Sequence, residues 1–114
     1  MKKSVFGASL SLCLFLAAGS AHASCNTKGC GDEKVKRLYP NISGIVYVEV
    51  TGDKSPLDCT LVADKYMTFD MSAVGAEAIY SMLLTALTTD RPLEYIRISN
   101  GSSNCSVRYV QLSD

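Results

Sequence analysis

Between residues 35 and 112 the chain alternates short β-branched or aromatic runs with polar breaks, and one longer run carries a helical period. Ile45-Val46-Tyr47-Val48-Glu49-Val50 repeats every second residue. Val46, Val48 and Val50 share one face of that strand, and Ile45, Tyr47 and Glu49 share the other. A strand over 35–39 precedes it, and Pro40-Asn41-Ile42-Ser43-Gly44 predicts the turn between them. A loop over 51–58, a short strand over 59–62 and a strand over 66–71 follow. Ser72 predicts a helix N-cap, because its hydroxyl can accept a free backbone N–H. The helix is expected over 73–88, with Ile79, Met82, Leu83, Ala86 and Leu87 as its core-facing stripe. Asp90-Arg91-Pro92 ends it, since proline cannot continue a helix. Strands over 93–98 and 105–112 complete the pattern, joined by a polar loop in which Asn100-Gly101 favours positive φ. Residues 24–33 are polar and read as an N-terminal arm, leaving 34–114 as a single domain. Five or six strands with one helix between them predict a β-rich α+β fold, a small OB-like barrel.

The first 23 residues stand outside this pattern. Met1-Lys2-Lys3 is basic, 5–18 is apolar, and Ala21-His22-Ala23 offers small residues at the positions a signal peptidase reads. This predicts a signal peptide over 1–23. A membrane span needs about 20 apolar residues, and this run is shorter, broken by Gly7, Ser9 and Ser11. The expected location is therefore the periplasm or the extracellular space, with no membrane span.

Removing the leader changes the chemistry. Cleavage leaves 91 of the 114 residues, a size whose core is marginal without cross-links or partners. Lys2 and Lys3 leave, so nine Lys and Arg face eleven Asp and Glu, a net of −2. That balance argues against a nucleic-acid partner. Lys34, Lys36 and Arg37 form the one basic cluster and read as a solvated strand edge. His22, the sole histidine, also leaves. With it go Ser-His-Asp and Cys-His nucleophiles and any His-ligated metal.

Four cysteines remain: Cys25, Cys30, Cys59 and Cys105. An even number in a small exported domain reads as two disulfides. Of three pairings, Cys25–Cys30 with Cys59–Cys105 is favoured, closing one short loop and one of about 47 residues, the latter stabilising by about 4 kcal/mol. The spacings lack paired CxxC knuckles, so no metal and no cofactor are expected.

The segment Tyr80-Ser81-Met82-Leu83-Leu84-Thr85-Ala86-Leu87-Thr88-Thr89-Asp90-Arg91-Pro92-Leu93, then an alternating strand, Cys105 and a final strand, resembles the B subunits of AB5 toxins of the subtilase-cytotoxin and pertussis-like kind. The likeness covers 66–112 and, more loosely, 35–50. Asp90 stands where that group has glycine, and its aromatic sugar-contact segments have no clear counterpart here. The resemblance implies a non-catalytic binding module that recognises a glycan or protein surface, and a homo-oligomeric ring. Tyr80 and Leu84, beside the helix stripe, are the candidate oligomer contacts. Tyr47 and Glu49, on one strand face, are the candidate ligand-binding pair. The alternative is a periplasmic interaction protein, such as an inhibitor or envelope accessory factor, acting through the loop 51–58 or 99–104. Asp58, Asp64 and Asp70 could supply a carboxylate pair for an enzyme, but their spacing carries no signature.

Overall fold

The computed structural model describes residues 24–114; the expected leader over 1–23 lies outside the described residues. The elements are β1 (Ser24–Cys25), β2 (Gly29–Pro40), β3 (Ile45–Val50), β4 (Met67–Asp70), α1 (Ala76–Thr88), β5 (Pro92–Ile98) and β6 (Val107–Gln111). They form one antiparallel sheet in the order β4-β3-β2-β5-β6, with β1 paired to β2.

The long strand β2 organises the sheet. Its first half pairs with β5, from Gly29↔Arg97 to Lys34↔Pro92, and its second half pairs with β3, from Val35↔Val50 to Pro40↔Val46. A register shift between Val35 and Arg37 marks the changeover. A bulge of this kind bends a strand and adds twist, which lets one strand serve both halves of a curling sheet. The expected boundary at 33/34 therefore falls inside a continuous strand. Polar composition concealed this because Glu33, the residue that looks most solvent-bound, is 0% exposed. Its Oε1 accepts a 2.7 Å bond from the Thr51 hydroxyl.

The barrel is OB-like but not closed. Across the seam between β4 and β6 runs one parallel bridge, Thr68↔Ser106. There Thr68 N donates to the Cys105 carbonyl at 3.0 Å, and Thr68 Oγ1 donates to the Asn104 carbonyl at 2.8 Å. Inside lie Val46, Val48 and Val50 from β3, Met67 from β4, Leu83 from α1, and Leu93, Ile96 and Ile98 from β5. The alternation read from β3 thus places the valine face in the core.

Helix α1 packs on β2, β5 and β6. It starts three residues later than expected and is capped by Gly75 at φ 86, not by Ser72. Ser72 instead donates both its N–H and its hydroxyl to Asp70 Oδ1, at 2.9 and 2.8 Å. Side-chain competition of this sort favours a turn over a helix. Leu83 and Ala86 are buried as expected, and Ile79, Met82 and Leu87 are half-buried against the core. The helix ends at Thr88, with Asp90 N–H bonded to the Leu87 carbonyl and Arg91 N–H to the Ala86 carbonyl. This is a Schellman closure with Asp90, at φ 56, in the left-handed position glycine usually takes. Pro92 comes after the stop and opens β5.

Both favoured disulfides are present, Cys25–Cys30 across β1 and β2 and Cys59–Cys105 across the loops. In place of the expected strand over 59–62 there are two single bridges, Cys59↔Ser102 and Val62↔Tyr66.

Candidate functional site

The outer face of the β2–β3–β4 sheet carries the chemistry. Residues directly opposite one another share a face, and the register sets Arg37 against Glu49, Tyr39 against Tyr47, Tyr47 against Thr68, and Ile45 against Asp70. Tyr39 and Tyr47 stack with ring centroids 5.0 Å apart. Tyr66, just before β4, meets both edge-on at 5.6 and 5.9 Å. Lys65 Nζ lies 5.4 Å from the Tyr66 ring centroid, within reach of a cation–π contact. Partial desolvation raises the Tyr39 hydroxyl above its ordinary pKa, helped by the Tyr66 and Tyr47 phenols and opposed by Arg37.

Beside this aromatic cluster an open cavity of about 510 Å³ lies between β3, β4 and the loop after β5. Tyr47, Thr68 and Asp70 form one wall, and Ser103, Asn104 and Ser106 form the facing one. The second wall is held from outside. Ser102 Oγ donates to the Ser99 carbonyl at 2.7 Å and accepts from Ser106 N at 2.9 Å. Asn100 Nδ2 donates to the Thr27 carbonyl and to Asp58 Oδ2. Cys105, buried and at φ 47, anchors the wall to Cys59. The cavity thus combines two aromatic residues, Tyr47 and Phe69, with several hydroxyls, an amide and a carboxylate.

Of the expected ligand pair, Tyr47 borders the cavity and Glu49 does not. Glu49 is 7% exposed, with Lys36 Nζ 3.8 Å and Arg37 Nε 3.6 Å from its carboxylate oxygens. The extra residue at the β2 bulge brings both cations beside the same carboxylate, while their side chains stay 57% and 54% exposed, as expected of a solvated strand edge. Lys34, its third member, pairs with Asp90 at 3.2 Å. Leu84 stays on the surface at 41% exposure, whereas Tyr80 is half-buried against the core. The remaining tyrosines, Tyr95 and Tyr109, form a separate pair 6.4 Å apart on β5 and β6.

The three aspartates sit in different settings. Asp58 accepts from Asn100, Asp64 occupies a turn at φ 62, and Asp70 is bonded by Ser72. Among the described residues no group of three or more Cys, Asp or Glu is placed to hold a metal, and no helix is long and apolar enough to cross a membrane.

Sequence reasoning found Tyr47 and singled out the loop 99–104, but did not set that loop opposite Tyr47 as one site. Tyr39 and Tyr66 could have been found by extending the face of Tyr47 to its cross-strand neighbours. Asn104 and Ser106 lie more than 50 positions away and enter only through the seam. Comparison with family models, with curated proteins and with solved structures finds no match.

Proposed function

We propose that this chain is an exported, non-catalytic binding module that recognises a glycan surface. The observation that carries this reading is the cavity between Tyr47 and the 103–106 wall. Sugars present apolar C–H faces and rings of hydroxyls. A tyrosine platform bordered by serine, asparagine and aspartate groups matches both, because an aromatic side chain offers an apolar body with a polar tip. Its position adds support: OB-type barrels bind oligosaccharides on the face of their second and third strands, next to the turns at that end. Here those strands are β3 and β4. This part of the argument is by analogy of fold.

A glycan array probed with the labelled protein tests the reading. Wild type is expected to retain a defined set of glycans, and Tyr47→Ala, with an unchanged circular dichroism spectrum, to lose them. Absence of signal from every glycan refutes it.

One observation favours the alternative of a protein surface. Ile42 and Val74 are fully exposed at the end of the sheet where Gly44 and Met71 are joined. An inhibitor or envelope accessory factor would use such an apolar rim. Loss of partner capture in Ile42→Ser, with glycan binding absent, distinguishes it. The ring implied by the AB5-like segment belongs to the same proposal, with Leu84 as the contact; sedimentation velocity of wild type and Leu84→Glu tests it.

A further inference from the structure

The charge on the cavity narrows the class of glycan. Asp70 is the one charged residue that lines it. Ser72 donates its backbone N–H first, and then its hydroxyl, to Asp70 and holds the carboxyl below its ordinary pKa, so the group is ionised at neutral pH. Both donors fall on Oδ1, leaving Oδ2 to accept from a ligand. No cation is among the residues that line the cavity: Lys36 and Arg37 face Glu49, Lys65 lies over Tyr66, and Arg108, two residues beyond Ser106 on the exposed surface of β6, stands outside the lining. Two of the hydroxyls are committed as well. Thr68 donates to the Asn104 carbonyl and Ser102 to the Ser99 carbonyl. The Tyr47 hydroxyl accepts from Asn41 Nδ2 at 3.3 Å and keeps its proton to donate.

An acidic sugar entering this cavity meets a carboxylate and no cation. A sugar rich in hydroxyls, or one bearing an ammonium, meets a charge-assisted acceptor. We infer that the cavity selects neutral or amine-bearing sugars and rejects carboxylate-bearing ones, with Asp70 as the residue that sets the preference. This rests on the glycan-binding reading above. Like charges set against each other are a common device for excluding wrong partners.

The test uses matched probes on the intact oxidised protein. Galactose-terminated and glucosamine-terminated oligosaccharides are compared with the same chains capped by sialic or uronic acid, for wild type and Asp70→Asn. Asparagine keeps an acceptor for Ser72, so the turn is preserved. Wild type is expected to favour the uncapped probes by about tenfold or more, and Asp70→Asn to narrow that ratio to within about threefold. Preferential binding of the acidic probes, or a ratio unmoved by Asp70→Asn, overturns the inference and leaves the glycan reading standing. Failure of every probe to bind overturns the glycan reading, and this inference with it.

Discussion

Replacing Gly52 by alanine provides a controlled test of the packing around Glu33. Gly52 lies at φ +91, and a Cβ there would fall 2.6 Å from Glu33 Cδ and closer still to Glu33 Oε2. Gly44 lies at nearly the same φ, +85, with nothing within 4 Å. Left-handed strain for a non-glycine residue costs about 1–2 kcal/mol, and the loss of unfolded-state freedom returns about 0.4–1 kcal/mol. Both contributions are common to Gly44→Ala and Gly52→Ala, so they cancel in the comparison. What remains is the displacement of Glu33. The far end of an exposed glutamate would swing aside at little cost. Glu33 is 0% exposed, and its Oε1 is held by Thr51 Oγ1. A hydrogen bond to a charged group contributes about 1.5–3 kcal/mol. Gly52→Ala is therefore expected to lose about 2 kcal/mol more than Gly44→Ala. At about 4–8 °C per kcal/mol for a domain of this size, Tm should differ by about 8–16 °C. Thermal and urea unfolding followed by circular dichroism measure the gap. In a Glu33→Ala background it should collapse, as a double-mutant cycle would reveal. Equal losses in Gly44→Ala and Gly52→Ala refute the argument.

Three further expectations follow from the same structure. The two disulfides are separated by 46 and 5 positions, so chain entropy assigns Cys59→Ala/Cys105→Ala a loss of about 4 kcal/mol and Cys25→Ala/Cys30→Ala about 2 kcal/mol; urea midpoints in the reverse order would contradict this. Asp90→Gly removes a left-handed aspartate from the helix stop and is expected to raise stability by about 0.5–1 kcal/mol despite losing the exposed Lys34 pair, with a lowered Tm as the refuting result. Asp53 and Asp70 are held below the ordinary carboxylate value by bonds from Ser55 and Ser72. Their contribution is therefore complete above about pH 4 and fades as pH falls further; a urea midpoint as high at about pH 3 as at about pH 7, or an acid-side fall unchanged in Asp53→Asn/Asp70→Asn, would contradict it.

The legible parts of this fold are those set by local pattern. The valine face of β3, the stripe of α1, its end at Thr88 and both disulfide pairings followed from spacing alone. The parts that were not legible depend on what lies across from a residue. Gly29 to Glu33 looked like a solvent arm because a buried glutamate defeats hydropathy, although β5 supplies the backbone partners that make it a strand. Ser72 has the right side chain for a cap, but Asp70 two positions earlier claims it. At the site, Tyr47 was visible from its alternation, while Glu49 shares its face yet sits beneath two cations gathered by a bulge that no periodicity announces. The facing wall depends on a loop folded back over β4, and a one-dimensional pattern carries no sign of that return.

The Cys59–Cys105 bridge also bears on when the cavity wall is covalently tied. It fixes the wall at Cys105, next to the single point where the sheet meets itself. A chain whose thiols are still reduced keeps the hydrogen bonds from Thr68, Asn100 and Ser102 but lacks the covalent tie in the wall opposite Tyr47 and Asp70. Under the glycan-binding proposal, reduction is therefore expected to weaken binding through loss of that tie, and not through any group that lines the cavity.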